Sequence, residues 1–220
     1  MPELMMLFFT GLFSYLIGSV TFGMLVPRMM GSSVDVRKQG SGSVGATNVL
    51  RTQGKLQAAI VLLGDVLKGL IAAWVGLWIA GDAGGCVAGL CAIIGHCFPV
   101  YFGFKGGKAV ATAAGILLAL FPQSMLVLLP VFLIVTAFSK IVSMGSLAAT
   151  LSLLLCIVLF QPSFPASIYS VCAVILIVWK HRENIKRIIS GTENKLSSSV
   201  KKTDEHESVS SADKLESRVE

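Results

Sequence analysis

The sequence predicts an all-α polytopic membrane protein, and two observations lead to this fold class. Hydrophobic residues make up 54% of the 220-residue chain and charged residues only 14%, so the mean hydropathy of +0.78 lies far above that of soluble domains. Apolar runs long enough to span a membrane recur along the chain, separated by polar segments rich in glycine, lysine and arginine. We therefore expect about seven transmembrane helices, with five as the alternative, joined by loops on the cytoplasmic face.

The predicted spans cover, in order, residues 4–26, 56–80, 84–104, two segments within 110–141, 143–160 and 166–179. A break near Pro122 divides the fourth and fifth spans, so the fourth is short, like a half-helix or re-entrant segment. The N-terminus has no basic region before its apolar run, which predicts a retained first span. Residues 1–193 form one membrane domain, and the serine-rich, charged residues 194–220 are expected to be a disordered cytoplasmic tail.

The distribution of charge gives the orientation and limits the partners. With the N-terminus outside, seven crossings place every Lys and Arg except Lys68 on the cytoplasmic side, as the positive-inside rule requires. The net charge of +6 suits anionic lipids or anionic substrates, whereas no basic stripe with interleaved aromatic residues indicates nucleic acid. The five cysteines form no CxxC pair, so we expect no metal and no cofactor, and nothing indicates an obligate protein partner.

Asp65 and Lys68 lie three residues apart within the second span and therefore on one helical face. Ionised groups at that depth are costly and normally pair or face a polar interior. A structural ion pair is the favoured interpretation over a catalytic role, because both partners are present.

The polar stretch from Gly40 to Arg51, GSGSVGATNVLR, is the first candidate site. Its glycines and serines allow several backbone N–H groups to face one anion, and Arg51 adds a fixed positive charge. Gly40, Gly42 and Gly45 spell GxGxxG, but no strand precedes them, so a dinucleotide site is rejected. Taken alone, the stretch is as well interpreted as a flexible loop as an anion site.

Two further polar stretches would lie on the same face of the membrane. In residues 95–112, Gly106, Gly107 and Lys108 precede a helix whose N-terminus attracts anions, although a lysine-rich turn is also an ordinary cytoplasmic flank. After the last span, a polybasic lipid anchor would explain the arginines and lysines of HRENIKRIISGTE. It does not explain His181 and Asn184.

These stretches, with YLIGSVTFG, VSMGS and the triplet of Asp65, Lys68 and Gly69, resemble the bacterial acyl-phosphate:glycerol-3-phosphate acyltransferases, the PlsY family. The resemblance covers about residues 11–193 in the same order. The chain departs from the family pattern at Thr21, where the family usually has GSIPFG, and at Ser43, where it usually has GSGN.

The resemblance implies transfer of an acyl group from acyl phosphate to the 1-hydroxyl of sn-glycerol 3-phosphate, giving lysophosphatidic acid and phosphate at the bacterial inner membrane. By this resemblance, Arg51, Lys108 and His181 are catalytic. The substrate-binding residues would be Ser41, Gly42, Thr47, Asn48, Gly106, Gly107, Ser143 and Asn184. His96 would hydrogen-bond the loops, and Glu193 would hold the C-terminal helix by pairing with a cation.

The residues fit this reaction. An acyl phosphate is already activated, so positioning and electrostatic stabilisation suffice. Either His181 or a substrate phosphate oxygen takes the hydroxyl proton, and the sequence leaves both open. The HxxxxD pair of acyl-CoA-dependent families is absent after His96 and after His181. The alternative function is transport of organic phosphates, although no internal repeat supports it; a small scaffold protein would leave the His and Asn positions unexplained.

Overall fold

A computed structural model describes residues 2–32, 34–160 and 163–196, and within these ranges the chain is helical with no strand. The α-helices are α1 (Pro2–Ser19), α2 (Phe22–Met29), α3 (Ala46–Thr52), α4 (Lys55–Cys97), α5 (Val110–Leu120), α6 (Pro122–Ser139), α7 (Val142–Phe160), α8 (Phe164–Lys180) and α9 (Arg182–Ile189). Short 3-10 turns cover Val36–Lys38 and Val100–Phe102. The tail that we expect to be disordered lies outside the described residues from 197 onward.

Helix α4 is a hairpin of two antiparallel limbs. A straight helix of 43 residues would be about 65 Å long, twice the thickness of a bilayer core. Ala80 and Gly81 leave the helical conformation, and Gly81 has a φ of 59°, which glycine adopts without strain. Gly76 and Gly84, on either side of this turn, lie so close that a Cβ on one would overlap the carbonyl oxygen of the other. The limbs, residues 55–79 and 82–97, correspond to the second and third predicted spans, but the third ends at Cys97 and not at residue 104.

The multi-pass membrane architecture is confirmed, whereas the count of seven spans is not. Four helices, α1, α4, α6 and α7, are long and apolar enough to cross a membrane, and α8 with α9, bent by 57°, gives a fifth. The difference lies in two elements. The two limbs of α4 follow one another without a loop and are taken together as one of these four, and α5, with 11 residues, is only about 16 Å long.

The first predicted span is not continuous. Helix α1 ends at Ser19 and α2 begins at Phe22, so the helical conformation is interrupted at Val20 and Thr21. The buried Lys68 ammonium donates a hydrogen bond of 2.7 Å to the carbonyl of Val20, which the break has freed from helical pairing. The partner that stabilises the break is therefore 48 residues away in sequence.

Close packing and loop contacts gather several helix ends at one end of the bundle. Gly69 packs on the backbone of Thr112, and Gly115 packs on that of Val66, so α4 and α5 approach at backbone distance. Lys180, at the end of α8, donates a hydrogen bond of 3.0 Å to the carbonyl of Cys97, at the end of α4. The glycine-rich stretch, the start of α5, the start of α7 and the junction of α8 with α9 thus meet around one cavity.

Candidate active site

The cavity, about 410 Å³ in volume, has a polar end and an apolar end. Its polar end is lined by Ser41, Thr47, Asn48, Arg51, His96, Lys108, Ser143, His181, Asn184 and Glu193. Its apolar end lies deeper, among aliphatic and aromatic side chains of α5, α6, α7 and α8. The shape therefore suits an amphipathic ligand with an anionic head.

Asn48 holds the glycine-rich loop in shape. Its Nδ2 donates to the carbonyls of Val36, Gln39 and Ser43 at 2.8–3.1 Å, and its Oδ1 accepts from the backbone N–H of Ser41 at 2.8 Å. Because the loop already uses both ends of this buried amide, Asn48 positions Ser41 and has little bonding capacity left for a substrate.

Three glycines expected to bind substrate do not line the cavity. Gly42 is exposed and has a φ of 70°, so it turns the loop. Gly106 and Gly107 pack against His96, and a Cβ on either would overlap the carbonyl oxygen or the ring of that histidine. These glycines allow close approach of the backbone and present no surface to the cavity.

Lys108 is the most perturbed cation of the polar end. The pKa of its ammonium is lowered to about 8, chiefly by burial; the nearby charges of Arg187, Arg51 and Lys180 contribute to this lowering, while Glu193 acts against it. The next residue, Ala109, has a φ of 60°, a left-handed conformation that costs a non-glycine residue about 1 kcal/mol or more. Lys108 is thus a half-buried ammonium that an anionic ligand would stabilise.

Arg51 is half-buried and only partly paired. One terminal nitrogen donates 3.1 Å to the carbonyl of Asn194, whereas its buried Nε has no hydrogen-bond partner among the described residues. Burial lowers the pKa of the guanidinium, and the charge of Glu193 opposes this. Arginine stays charged in proteins, so Arg51 offers an unused donor with a positive charge.

Glu193 joins three parts of the chain. Its Oε1 accepts from Ser143 Oγ at 2.9 Å and from Asn184 Nδ2 at 2.6 Å, and its Oε2 accepts from Arg187 Nε at 2.6 Å. Burial acts to raise the pKa of this carboxyl, but the hydrogen bonds from Asn184, Arg187 and Ser143 outweigh burial and lower it. The ionised Glu193 therefore fixes the start of α7 to α9.

His181 and Asn184 follow α8 at the polar end, and both are buried. His181 Nδ1 lies 2.8 Å from the carbonyl oxygen of Ile177. Since a carbonyl only accepts, Nδ1 carries the proton and Nε2 remains available as an acceptor. Asn184 Oδ1 is buried and has no hydrogen-bond partner within the described chain.

His96 connects the cavity to the buried ion pair. Its Nδ1 lies 3.2 Å from Thr112 Oγ1 and 3.5 Å from Asp65 Oδ1, and Asp65 is 2.8 Å from the Lys68 ammonium. Its backbone carbonyl accepts from the N–H of Gly107 at 3.1 Å. His96 thus touches the turn that carries Lys108.

The structure brings ten of the thirteen predicted site residues together at the cavity and leaves Gly42, Gly106 and Gly107 behind its wall. The sequence does not single out Arg187, whose Nε lies 2.6 Å from Glu193 Oε2, because this residue belongs to the basic run of α9. It also sets Ser43 aside, yet this residue lines the cavity. Among the described residues, no group of three His, Cys, Asp or Glu side chains is placed to hold a metal ion.

Comparison with known proteins finds relatives that match most of the chain. A family model described as glycerol-3-phosphate acyltransferase matches residues 8–191. A glycerol-3-phosphate acyltransferase of Gloeobacter violaceus is 44% identical over 188 residues, which cover 83% of this chain and 91% of the relative. One from Sinorhizobium medicae is 46% identical over 186 residues, covering 84% and 89% respectively.

Two crystal structures of PlsY (YgiH), described as an integral membrane glycerol 3-phosphate acyltransferase, share the fold. The glycerol 3-phosphate form superimposes with a TM-score of 0.82 at 38% identity, over 86% of this chain and 95% of that one. The lysophosphatidic acid form gives 0.80 at 37% identity, over 86% and 94%.

Proposed function

The chain belongs to the glycerol-3-phosphate acyltransferase family and is an acyltransferase of glycerol 3-phosphate, and we propose that its acyl donor is an acyl phosphate. In this reaction the 1-hydroxyl oxygen attacks the acyl carbon, the bond from that carbon to the phosphate oxygen breaks, and inorganic phosphate leaves. The products are lysophosphatidic acid and phosphate. Transport of organic phosphates is not retained, because the relatives and structural neighbours reported above are acyltransferases.

One observation carries the assignment of the cavity as the site where glycerol 3-phosphate binds: the polar end holds an unused donor and an unused acceptor. Arg51 Nε and Asn184 Oδ1 are buried and have no hydrogen-bond partner among the described residues. A buried polar atom without a partner costs about 1–3 kcal/mol, so a ligand that pairs with two such atoms on residues lining one cavity would be bound favourably there. Glycerol 3-phosphate supplies both complements, a phosphate for the guanidinium and hydroxyl groups for the amide oxygen.

The cations would bind the phosphates of the two substrates. Arg51 and Lys108 line the same cavity, and the hydroxyls of Ser41 and Thr47 lie on its loop wall. Because charge moves onto the leaving phosphate in the transition state, a preorganised ammonium at Lys108 stabilises that state more than the ground state. Arg51 would hold the phosphate of the acceptor with its free Nε.

His181 and Asn184 would hold the glycerol. The acceptor Nε2 of His181 suits the attacking hydroxyl, whose proton passes either to this nitrogen or to a phosphate oxygen of the substrate. Asn48, His96 and Glu193 would act through other residues: Asn48 shapes the loop of Ser41, His96 supports the turn of Lys108, and Glu193 orients Asn184.

We further propose seven crossings with the site facing the cytoplasm of the bacterial inner membrane. The two limbs of α4 and the short α5, added to the other candidate spans, give this count. The polar end then coincides with the side that carries almost all Lys and Arg, in agreement with the positive-inside rule. Residues 197–220 would have no part in the reaction.

The test is a product assay with purified protein in detergent or lipid mesophase. With acyl phosphate and glycerol 3-phosphate, we expect equal amounts of phosphate and lysophosphatidic acid without added metal. Acyl-CoA in place of acyl phosphate should give no product. Transfer from acyl-CoA alone, or no transfer from either donor, would contradict the proposed donor.

A further inference from the structure

The apolar end of the cavity is a groove with a floor, and the distance from the polar end of the cavity to this floor follows from α8. Tyr169, Ala173, Ile177 and His181 recur every four residues and all line the cavity, so they form one stripe along this helix. The 12 residues from His181 to Tyr169 correspond to about 18 Å. Helix α8 continues beyond Tyr169 to Phe164, but none of its residues there lines the cavity.

Helix α7 gives the same depth independently. The residues of α7 that line the cavity form a stripe that changes from polar to apolar with distance from the polar end: Ser143, Ser146, Thr150 and Leu153. The ten residues from Ser143 to Leu153 span about 15 Å, although the helix runs on to Phe160. Two neighbouring helices thus stop lining the cavity at a similar depth.

The ring of Tyr169 lies where the groove ends. The side chain is only 1% exposed, and its ring centre is 5.9 Å from that of Phe121, at the break between α5 and α6. On the other side it packs against Gly89 of the second α4 limb, where a Cβ would come within 3.1 Å of the ring. Two other parts of the bundle therefore hold the ring of this α8 residue in place at the end of the groove.

The depth of the whole cavity, from its polar end to its floor, is close to the length of one acyl chain of a membrane lipid. A bilayer core is about 30 Å thick, so one leaflet of acyl chains occupies about 15 Å. Leu118 and Leu129, which line the groove from α5 and α6, are each 45% exposed on the apolar outer surface. A chain can therefore reach the groove sideways from the bilayer, with its head at Lys108 and Arg51.

We propose that the Tyr169 ring is the floor of the acyl-chain groove and sets the longest acyl chain that this enzyme uses efficiently. This inference rests on the proposed acyl donor and names the residue that limits it. Chains that end at the ring bury every methylene, whereas longer chains must fold back or displace the ring. For a methylene that an apolar pocket cannot accommodate, the loss in kcat/KM is roughly tenfold or more.

The test measures kcat/KM for a series of acyl phosphates that lengthen by two carbons at a time. In Tyr169→Ala, kcat/KM should begin to fall only at longer acyl chains. The ratio of kcat/KM for the first donor that is too long for the unaltered protein to kcat/KM for the donor two carbons shorter should rise roughly tenfold. Tyr169→Phe keeps the ring and should keep the profile, because the buried hydroxyl has no hydrogen-bond partner in the described chain. Phe164→Ala removes a 77% exposed ring from the same helix and is the matched control.

A second variant covers the case in which Tyr169→Ala does not fold. Leu153→Phe places a larger side chain of α7 near the floor of the groove, so kcat/KM should already fall at shorter acyl chains. Opposite shifts in the two variants, or the shorter limit in Leu153→Phe when Tyr169→Ala does not fold, support the inference. An unchanged profile in a folded Tyr169→Ala, or in Leu153→Phe when Tyr169→Ala does not fold, overturns it. Failure of the unaltered protein with every acyl phosphate would instead refute the proposed donor, and the chain-length inference with it.

Discussion

Glu193 Oε1 accepts a 2.6 Å hydrogen bond from Asn184 Nδ2, and this contact leaves the amide oxygen of Asn184 as the free, buried acceptor of the site. The carboxylate therefore determines which end of the Asn184 amide meets the substrate. The same carboxylate accepts hydrogen bonds from Ser143 and Arg187, so this one residue fixes several side chains at the polar end of the cavity.

The first prediction concerns this orienting contact. Glu193→Gln replaces a carboxylate by an amide that offers one acceptor and one donor group, so the three bonds can no longer all form. We expect kcat/KM for glycerol 3-phosphate to fall about 10- to 100-fold, in line with the loss of a charged hydrogen bond. Steady-state kinetics measure this, and Glu183→Gln, at an exposed carboxylate of α9, is the matched control. Equal loss in both variants would contradict the orienting role.

The second prediction concerns the charge of Lys108. Its pKa of about 8 means that the ammonium is present below this pH and is lost as the pH rises through it. Since the protonated form is the one that stabilises a leaving phosphate, kcat/KM should fall as the pH rises through about 8. Lys108→Arg, whose guanidinium does not titrate, should lower the rate but remove this fall.

The measurement is a pH profile of kcat/KM, which reports the free enzyme. Lys105→Arg is the control, because Lys105 is exposed and does not line the cavity. An alkaline fall that persists unchanged in Lys108→Arg would show that another group titrates.

The sequence predicts the helices better than their breaks. Hydropathy locates almost every apolar segment, including the short α5, because burial in lipid demands long apolar runs. It does not reveal the break at Val20, since that carbonyl is satisfied by Lys68, 48 residues away. It does locate the turn within α4, because the second and third predicted spans end and begin on either side of residues 81–83, next to Gly81 with its positive φ.

For the site, the sequence identifies the residues and not their partners. The roles of Ser41 and Arg51 remain predictions, and the structure adds that they share a cavity. The Asn48 amide donates its hydrogen bonds to the carbonyls of Val36 and Gln39 within the same loop. The positions of these carbonyls cannot be predicted from residue spacing. The bond from Ser143 to Glu193 joins residues 50 apart and exists only once α7, α8 and α9 have packed.

The third prediction separates the two roles open to His181. His181→Gln keeps a side chain that can hydrogen-bond the glycerol but cannot take a proton. If the imidazole is the base, kcat should fall by about 10²- to 10⁴-fold with little change in KM. If a substrate phosphate takes the proton, KM for glycerol 3-phosphate should rise while kcat is largely kept. The split between kcat and KM in this variant decides between them, and Asn184→Ala, which leaves the imidazole in place, should change mainly KM.

The last prediction concerns the buried pair of Asp65 and Lys68, 2.8 Å apart. Lys68→Met leaves the buried Asp65 without its ammonium partner, which costs about 3–5 kcal/mol of folding free energy. The double variant Asp65→Asn, Lys68→Met removes both charges and should recover the part of this cost that comes from the unpaired carboxylate, but not the hydrogen bond from Lys68 to the carbonyl of Val20. Thermal inactivation of the purified protein measures both. A structural pair predicts that the stable double variant also recovers activity. If that variant is stable but inactive, Asp65, which lines the cavity beside His96, takes part in the reaction itself.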